Sequence, residues 1–348
     1  MKNELRIGVL GAAKTTKNSL IRPAHEVDGV RVAAVAARNP ERARRYAARH
    51  GIPRVHVSYE NLLADKTLDA VYIPLPAAMH GQWTIASLNA GKHVLVEKPF
   101  AANAEEARFL TEAAHGQSRI VMEAHHSCHH PLMSRVKEIL SSGDLGAINT
   151  ADASFCVTIP PGQDIRWNPA LGGGSLMDVG CYPLRLLLDL FGPELPTVEY
   201  AAAKTRGEID RSMRATLNFG GIKATINCAI WSPRLFAADL TVHCDRGRLR
   251  VKMPFHPHDG ARIAVDGPGL SLREGTSGRS SYSYQLQAFR DAVLYGAPTL
   301  TSPAAANATM TIIDSIYLAA GLQPRQPYSG SDTSTVSGCS EPVTSARK

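Results

Sequence analysis

The sequence predicts an α/β protein in two parts. Residues 1–124 read as a doubly wound parallel sheet, and residues 125–322 as a second, α+β domain on an open, mostly antiparallel sheet. Three observations predict this. Short apolar strands alternate with helical stretches from Leu5 to Ala124, the pitch of a parallel sheet with helices on both faces. Hairpin signals at Gly220-Gly221 and Asp245-Arg246-Gly247 punctuate a run of strand-like segments in the second half. Between these regions an apolar strand, His93 to Val96, ends abruptly in Glu97-Lys98-Pro99. Two opposite charges there sit where such sheets keep their ligands, outside the carboxyl ends of the strands.

Composition narrows the class. Hydrophobic residues make up 44% and charged residues 20%, as in ordinary globular proteins. The longest apolar runs, such as Val30 to Ala37, are far too short to span a bilayer, so no membrane partner is expected. Met1-Lys2-Asn3-Glu4 leads straight into a strand, so no signal peptide is expected. Six cysteines (Cys128, Cys156, Cys181, Cys228, Cys244, Cys339) lack CxxC spacing, which predicts reduced thiols and a cytoplasmic location. The net charge is +7, and part of it is local, at Arg38, Arg42, Arg44, Arg45, Arg49 and Arg54. Only Tyr46 interleaves this run, whose spacing suits a solvated helix face, so nucleic acid is not the expected partner.

The first strand, Leu5 to Leu10, runs into Gly11-Ala12-Ala13-Lys14-Thr15-Thr16. This is a degenerate phosphate turn. Gly11 keeps the first glycine of the usual fingerprint, while Ala13 and Thr16 replace the second and third. Gly11, Ala12 and Ala13 are thus candidate contacts to a dinucleotide. The second strand, Val30 to Ala37, ends at Arg38, where the cofactor's ribose is read. An acidic residue here would bond the hydroxyls of NAD. A guanidinium instead suits the 2′-phosphate, so Arg38 favours NADP, with NAD still possible.

A helix from Glu41 to His50, a strand from Val55 to Val57 and a helix from Tyr59 to Ala64 follow. The next strand, Asp69 to Ile73, stops at Pro74-Leu75-Pro76, a rigid lip expected to touch the cofactor through Pro74 and Leu75. His80, on the next turn, reads equally as a cofactor contact or as a helix-capping or surface residue. Met79 to Ala90 is helical and delivers the chain to Glu97-Lys98-Pro99. Pro99 fixes its own φ and steers Lys98 away from helical geometry, which aims the amine. A helix from Asn103 to His115 and a strand from Arg119 to Ala124 complete six strands.

These residues resemble the Gfo/Idh/MocA family of oxidoreductases. The resemblance is carried by Arg6-Ile7-Gly8-Val9-Leu10-Gly11-Ala12-Ala13, by Asp69 to Pro76 with His80, by Ala90 to Pro99, and by Leu171 to Pro183. It covers about residues 5–320, and the branch it is most like is the NADP-using sugar and dihydrodiol dehydrogenases. It implies a Rossmann domain and a second domain whose sheet faces the nicotinamide. It implies hydride transfer at a carbon bearing a hydroxyl, on a sugar or cyclic polyol. It also implies a catalytic Lys98 on a cis Lys98–Pro99 peptide. Two departures stand out. The family's asparagine after the lip is Ala77 here, and its aromatic-Arg-aromatic run is replaced by His125-His126-Ser127-Cys128-His129-His130.

That histidine run could supply zinc ligands, but residues so close in sequence cannot all turn toward one ion, and no metal is expected. Some of the run, His125 first, is expected to line a polar substrate pocket, and some to face solvent. A helix from Pro131 to Ser142 and a long strand from Ala147 to Ile159 come next. Residues 160–169 form a candidate lid or pocket wall, with Arg166 and Trp167 as substrate contacts. Beyond Gly172-Gly173-Gly174, Asp178 and Tyr182 are four apart on one helix and share a face.

Lys98, Asp178 and Tyr182 then make a constellation. Oxidising a carbinol needs a base for the hydroxyl proton, and the reverse needs an acid. Either Tyr182, its pKa lowered by Lys98, or a Lys98 whose own pKa is lowered can carry that proton. Asp178 is expected to hold the substrate hydroxyl and orient the amine. Strand-like stretches follow at Thr197–Lys204, Met213–Phe219, Ile222–Trp231, Phe236–Cys244 and Gly247–Lys252, giving a sheet whose outer face suits a homodimer or homotetramer. Helices are expected at Ser283–Tyr295 and Ala304–Leu322, the second returning to the first domain, before a disordered tail over residues 323–348. The sequence leaves two alternatives open: a catalytically silent NADP(H)-binding regulator, and a lyase or hydrolase that uses a retained nicotinamide to oxidise its substrate only transiently.

Overall fold

The structure is a computed structural model, and it describes residues 4–329 apart from 193, 234 and 269. The first half is the predicted parallel sheet. Its strands are β1 (Leu5–Leu10), β2 (Val30–Ala36), β3 (Arg54–His56), β4 (Ala70–Ile73), β5 (His93–Glu97) and β6 (Val121–Ala124), in the order β3-β2-β1-β4-β5-β6. β1 and β4 sit side by side at the centre, so the chain reverses its winding direction there. That is the switch point where such sheets open a crevice. The helices of this half are α1 (Arg22–Glu26), α2 (Pro40–His50), α3 (Tyr59–Leu63), α4 (His80–Asn89) and α5 (Ala104–His115). Asn39 caps α2 by accepting from the Glu41 and Arg42 amides, and Gly51 ends it at φ +67°.

After α6 (Pro131–Ser141) the second sheet begins with β7 (Ile148–Cys156). α7 (Cys181–Phe191) follows, then β8 (Thr197–Arg206), β9 (Ile209–Phe219), β10 (Ile222–Ala229), β11 (Ala237–Cys244), β12 (Gly247–Lys252), β13 (Arg262–Gly267) and β14 (Leu270–Gly275). The order is β14-β13-β12-β11-β7-β10-β9-β8, antiparallel except where β7 and β10 run together. β13 and β14 were not foreseen. β13 is short, with Arg262 and Asp266 flanking three apolar residues, and the edge strand β14 mixes Leu270 and Leu272 with Ser271, Arg273 and Glu274, so neither shows as a long apolar run.

Two helices bind the halves together. α8 (Ser281–Tyr295) places Leu286 and Phe289 among Leu5, Ile7, Tyr72 and Leu95 on one face of the first sheet. Ser283 Oγ donates to Glu26 Oε2 at 2.6 Å beside it. α9 (Pro303–Ala319) lies against α5, and its Asp314 accepts the Ala104 amide at 2.8 Å, as the expected return to the first domain requires. The tail expectation needs correcting over residues 323–329. Arg325 is only 7% exposed and pairs with Asp210 at 2.6 Å, while Tyr328 N–H donates to Ala78 at 2.8 Å. Residues 330–348 lie outside the described residues. Among the described residues no helix is long and apolar enough to cross a membrane.

Candidate active site

The site is built where β5 ends. The Lys98–Pro99 peptide is cis, as expected. Glu97 lies below Lys98, takes the Tyr72 hydroxyl and accepts the Lys98 amide at 3.3 Å. Tyr72 is also 2.8 Å from Ser19 Oγ, so Glu97 orients the loop from beneath. Burial raises the Glu97 pKa against the pull of Tyr72 and Lys98.

The partner wall comes from the second half. Gly172, Gly173 and Gly174 let the chain approach closely. A Cβ at Gly172, where φ is +77°, would sit 3.0 Å from the Ala77 Cβ. A Cβ at Gly174, where φ is +130°, would strike Asp210, Arg325 and Tyr317. The loss of the family's asparagine thus has a physical counterpart: at position 77 a small side chain packs against the glycine turn. Residues Leu176–Gly180 then form a single π turn before α7, a feature that often marks functional sites.

This turn brings Asp178 to Lys98. Lys98 Nζ donates to the Asp178 carbonyl at 2.7 Å and to Oδ1 at 3.2 Å. The other carboxylate oxygen accepts Arg166 Nε at 2.6 Å, and Asp164 braces Arg166 from the far side. Burial opposes charge on Lys98, but Asp178, Cys181 and Glu97 outweigh it and the net shift is upward. Burial also opposes the Asp178 charge, and Lys98 and Arg166 overcome it, so that pKa is lowered. Lys98 is therefore an ammonium and Asp178 a carboxylate. A lowered lysine pKa, one of the two options left open by sequence, does not occur.

Tyr182 lies beside this pair, its ring centroid 5.0 Å from Lys98 Nζ. Its pKa is not lowered either. Burial raises it well above the usual value, helped by Tyr282, Cys181, Glu97 and Asp178. Tyr182 thus holds its proton as a phenol, just as Lys98 holds its own as an ammonium.

The remaining candidates separate. His125 is 1% exposed, stands edge-on to Tyr182 at 4.7 Å, and has no hydrogen-bond partner on either ring nitrogen among the described residues. Arg166 reaches the site through Asp178. Trp167 does not join the lysine and instead lines a side crevice with Pro161, Arg206, Arg211 and Trp231. His80 is buried, its Nδ1 2.8 Å from the Pro99 carbonyl and its Nε2 2.8 Å from that of Leu75. Burial drives its pKa to about 4, so the neutral ring donates to one carbonyl at a time and ties the lip to the cis-proline loop. Its ring nitrogens are thereby spent.

The part of the histidine run expected to face solvent does not: none of its four histidines is exposed, and His129 is half-buried. His125, His126 and His130 are buried, and the rings diverge. His126 turns to Ser281 and Tyr182, His129 to Thr301, and His130 caps Leu132. The partners of His126 were invisible in sequence because Ser281 lies 155 residues away.

The residues fit a dinucleotide. Gly11 has φ +117°, and a Cβ there would lie 3.0 Å from Leu75 of the lip, so a close-approaching backbone is built in. Arg42 and Tyr46 donate to the Ala12 and Ala13 carbonyls at 2.9 and 3.1 Å, fixing the turn. Pro74 follows β4 directly, facing the same turn. Arg38 is exposed at the end of β2, and no hydrogen bond or ion pair of its guanidinium occurs among the described residues.

Residues 5–125 match the model of the oxidoreductase family with an NAD-binding Rossmann fold, and residues 133–250 that of the GFO/IDH/MocA C-terminal domain. The chain is 34% identical to D-xylose 1-dehydrogenase (NADP(+)) 2 of Haloferax volcanii, over 90% of this chain and 96% of that one. It is also 34% identical to dTDP-3,4-didehydro-2,6-dideoxy-α-D-glucose 3-reductase of Streptomyces antibioticus, over 75% and 80% of the two chains. The fold is similar to that of KijD10, a 3-ketoreductase from Actinomadura kijaniata solved with NADP and TDP-benzene. There the TM-score is 0.85 at 26% identity, over 91% of this chain and 98% of that one. With both halves matched and the lysine, aspartate and tyrosine converging, the chain belongs to the Gfo/Idh/MocA family of oxidoreductases.

Proposed function

We infer that this oxidoreductase uses NADP to interconvert a secondary alcohol and a ketone on a sugar, sugar nucleotide or cyclic polyol. The observation that carries this reading is the convergence of Lys98, Asp178 and Tyr182 beside the carboxyl end of β5. The relatives add support, since one is named for NADP-linked oxidation of a sugar and the other for reduction of a sugar nucleotide. KijD10 has also been solved with a lysine changed to alanine and with a tyrosine changed to phenylalanine. Those two positions are separated by the same number of residues as Lys98 and Tyr182 here.

When bound, the nicotinamide exchanges hydride with the carbon that bears the reacting oxygen. The chain's own residues handle charge and protons. The Lys98 ammonium stabilises negative charge on that oxygen, in a site where water no longer screens it. The Tyr182 phenol gives or receives its proton. Asp178 keeps Lys98 charged and in place, and Arg166 keeps Asp178 ionised. Arg38 receives the 2′-phosphate that distinguishes NADP from NAD. His125, buried edge-on to Tyr182 with both ring nitrogens unpartnered among the described residues, is a further polar group at the site.

We place the enzyme in the cytoplasm, in keeping with the free thiols of its five described cysteines. We also propose a homodimer or homotetramer through the outer face of the second sheet. There Thr216, Thr225, Asp152 and Thr241 form a row across β9, β10, β7 and β11, with Asp152 exposed and the three threonines half-buried.

The test has two arms. NADPH and NADH are titrated against the wild type and Arg38→Ser. NADPH should bind tighter to the wild type, and the variant should lose about 10- to 100-fold for NADPH only, the worth of a charge-assisted fork. Aldoses, ketosugars and polyols are then screened by nicotinamide absorbance. Tight binding with no turnover across the panel would favour a silent regulator. Substrate consumption without net absorbance change would favour a lyase or hydrolase.

A further inference from the structure

His126 takes no part in the steps above, yet it touches the residue that trades the proton. Its Nε2 lies 3.3 Å from the Tyr182 hydroxyl. Its Nδ1 lies 2.7 Å from Ser281 Oγ at the start of α8. Ser281 Oγ in turn lies 2.8 Å from His258 Nδ1. The His258 side chain is 20% exposed, and its Nε2 faces the Asp259 carboxylate, 58% exposed, at 3.9 Å. Three hydrogen bonds thus join a buried phenol to a histidine at the surface, across α7, the turn after β6, α8 and the loop before β13.

The backbone sets the sense of these bonds. The Ser281 N–H donates to His258 Nδ1 at 3.4 Å, which assigns the lone pair to that nitrogen and the proton to Nε2. The Ser281 hydroxyl then donates to the same nitrogen, and its oxygen accepts from His126 Nδ1–H. His126 Nε2 is left unprotonated to accept the Tyr182 phenol. Every donor points from the site toward water.

We propose that His126, Ser281 and His258 form a proton relay that connects Tyr182 to solvent. The proposal rests on the reading of Tyr182 as the proton carrier. In alcohol oxidation the substrate hydroxyl gives its proton to the Tyr182 oxygen as the phenol proton passes to His126 Nε2. The His126 Nδ1 proton passes to Ser281, the Ser281 proton to His258 Nδ1, and the His258 Nε2 proton to water beside Asp259. Each hop breaks one O–H or N–H bond and forms another, no member keeps a charge, and the two electrons leave with the hydride. Carbonyl reduction runs the hops backwards.

The surroundings suit a carrier that passes protons on without storing them. A phenol whose pKa stands well above its usual value cannot wait as a phenolate, so it must release one proton as it takes another. His126 is faced by Tyr282 at 3.9 Å, His256 at 5.2 Å, Tyr182 at 5.8 Å and His258 at 6.3 Å, with Lys98 and His125 nearby. Burial first, and then these neighbouring charges, hold it neutral.

Ser281→Ala cuts the relay at its middle, and His258→Ala cuts it at the surface, where folding tolerates the change. With the best sugar of the panel and NADP⁺, kcat should fall about 10- to 100-fold, within the range a proton-transferring group contributes, while KM stays level. The solvent deuterium isotope effect should rise, and added imidazole should restore the rate of His258→Ala. Tyr182→Phe is measured alongside. Full activity in Tyr182→Phe overturns the tyrosine reading and the relay with it. An inactive Tyr182→Phe beside relay variants with wild-type rate, isotope effect and NADPH affinity overturns the relay alone. Nitrogen-edited proton NMR of the NADP-bound enzyme needs no substrate. It should place the His126 proton on Nδ1 and the His258 proton on Nε2, and the opposite assignment for His126 overturns the relay.

Discussion

Glu123, one strand over from Lys98, is a carboxylate whose burial should be measurable as stability. It is 1% exposed, its Oε2 has no hydrogen-bond partner among the described residues, and His125 Nδ1 stands 3.8 Å away. Burial pushes its pKa up to about 7, against the downward pull of Arg185. The folded protein therefore binds a proton between the ordinary carboxylate range and pH 7 that the unfolded chain has released. Stability falls as pH rises through that window, on the order of 3 kcal/mol in all. Glu123→Gln removes the titration. Its denaturation midpoint should match the wild type near pH 4.5 and exceed it at pH 8, and a constant difference across that range would refute the shift. The sequence made Lys98, Asp178 and Tyr182 legible through motif and spacing. It could not show Glu123, which in Val121-Met122-Glu123-Ala124 looks like the polar position of an ordinary strand. Nor could it show that Lys98 and Tyr182 both keep their protons, because that depends on burial and on charges brought together from both halves.

At the scale of elements, the turn that delivers Asp178 is fixed from behind by a buried carboxylate. Asp210 Oδ2 accepts Ser175 Oγ and the Leu176 amide, both at 2.8 Å. Its Oδ1 accepts Arg325 at 2.6 Å and the Tyr317 hydroxyl at 2.9 Å. Arg325 also donates to the Gly173 carbonyl at 2.7 Å. Removing one partner of a buried ion pair leaves the other uncompensated, so Arg325→Met should cost about 3–5 kcal/mol in urea unfolding. A loss under about 1 kcal/mol would mean that water replaces the guanidinium, as at an exposed pair. The glycine run announced this turn, but its anchor was hidden. Arg325 sits in a stretch whose Ser, Thr, Pro and Gly content reads as unstructured, and composition cannot see one charge with a buried partner far away in sequence.

For the whole molecule, the boundary drawn near residue 124 marks a change of sheet and not a break in the core. α8 supplies Leu286 and Phe289 to one face of the first sheet, and α9 lies over α5. Arg290 also donates to the Asp28 carbonyl at 2.7 Å. Thermal unfolding should therefore show one transition, coincident in far- and near-ultraviolet circular dichroism. Two separated transitions would show that the clasp is weaker than its contacts imply. The same clasp holds Asp178 and Tyr182 opposite Lys98, which we propose does chemistry there without holding the cofactor. Lys98→Met keeps the length of the side chain and removes the charge. Turnover and NADPH affinity measured on one preparation decide the matter. Lys98→Met should reduce kcat by at least about 100-fold and leave NADPH affinity within about threefold of wild type. Undiminished turnover in that variant would contradict that role.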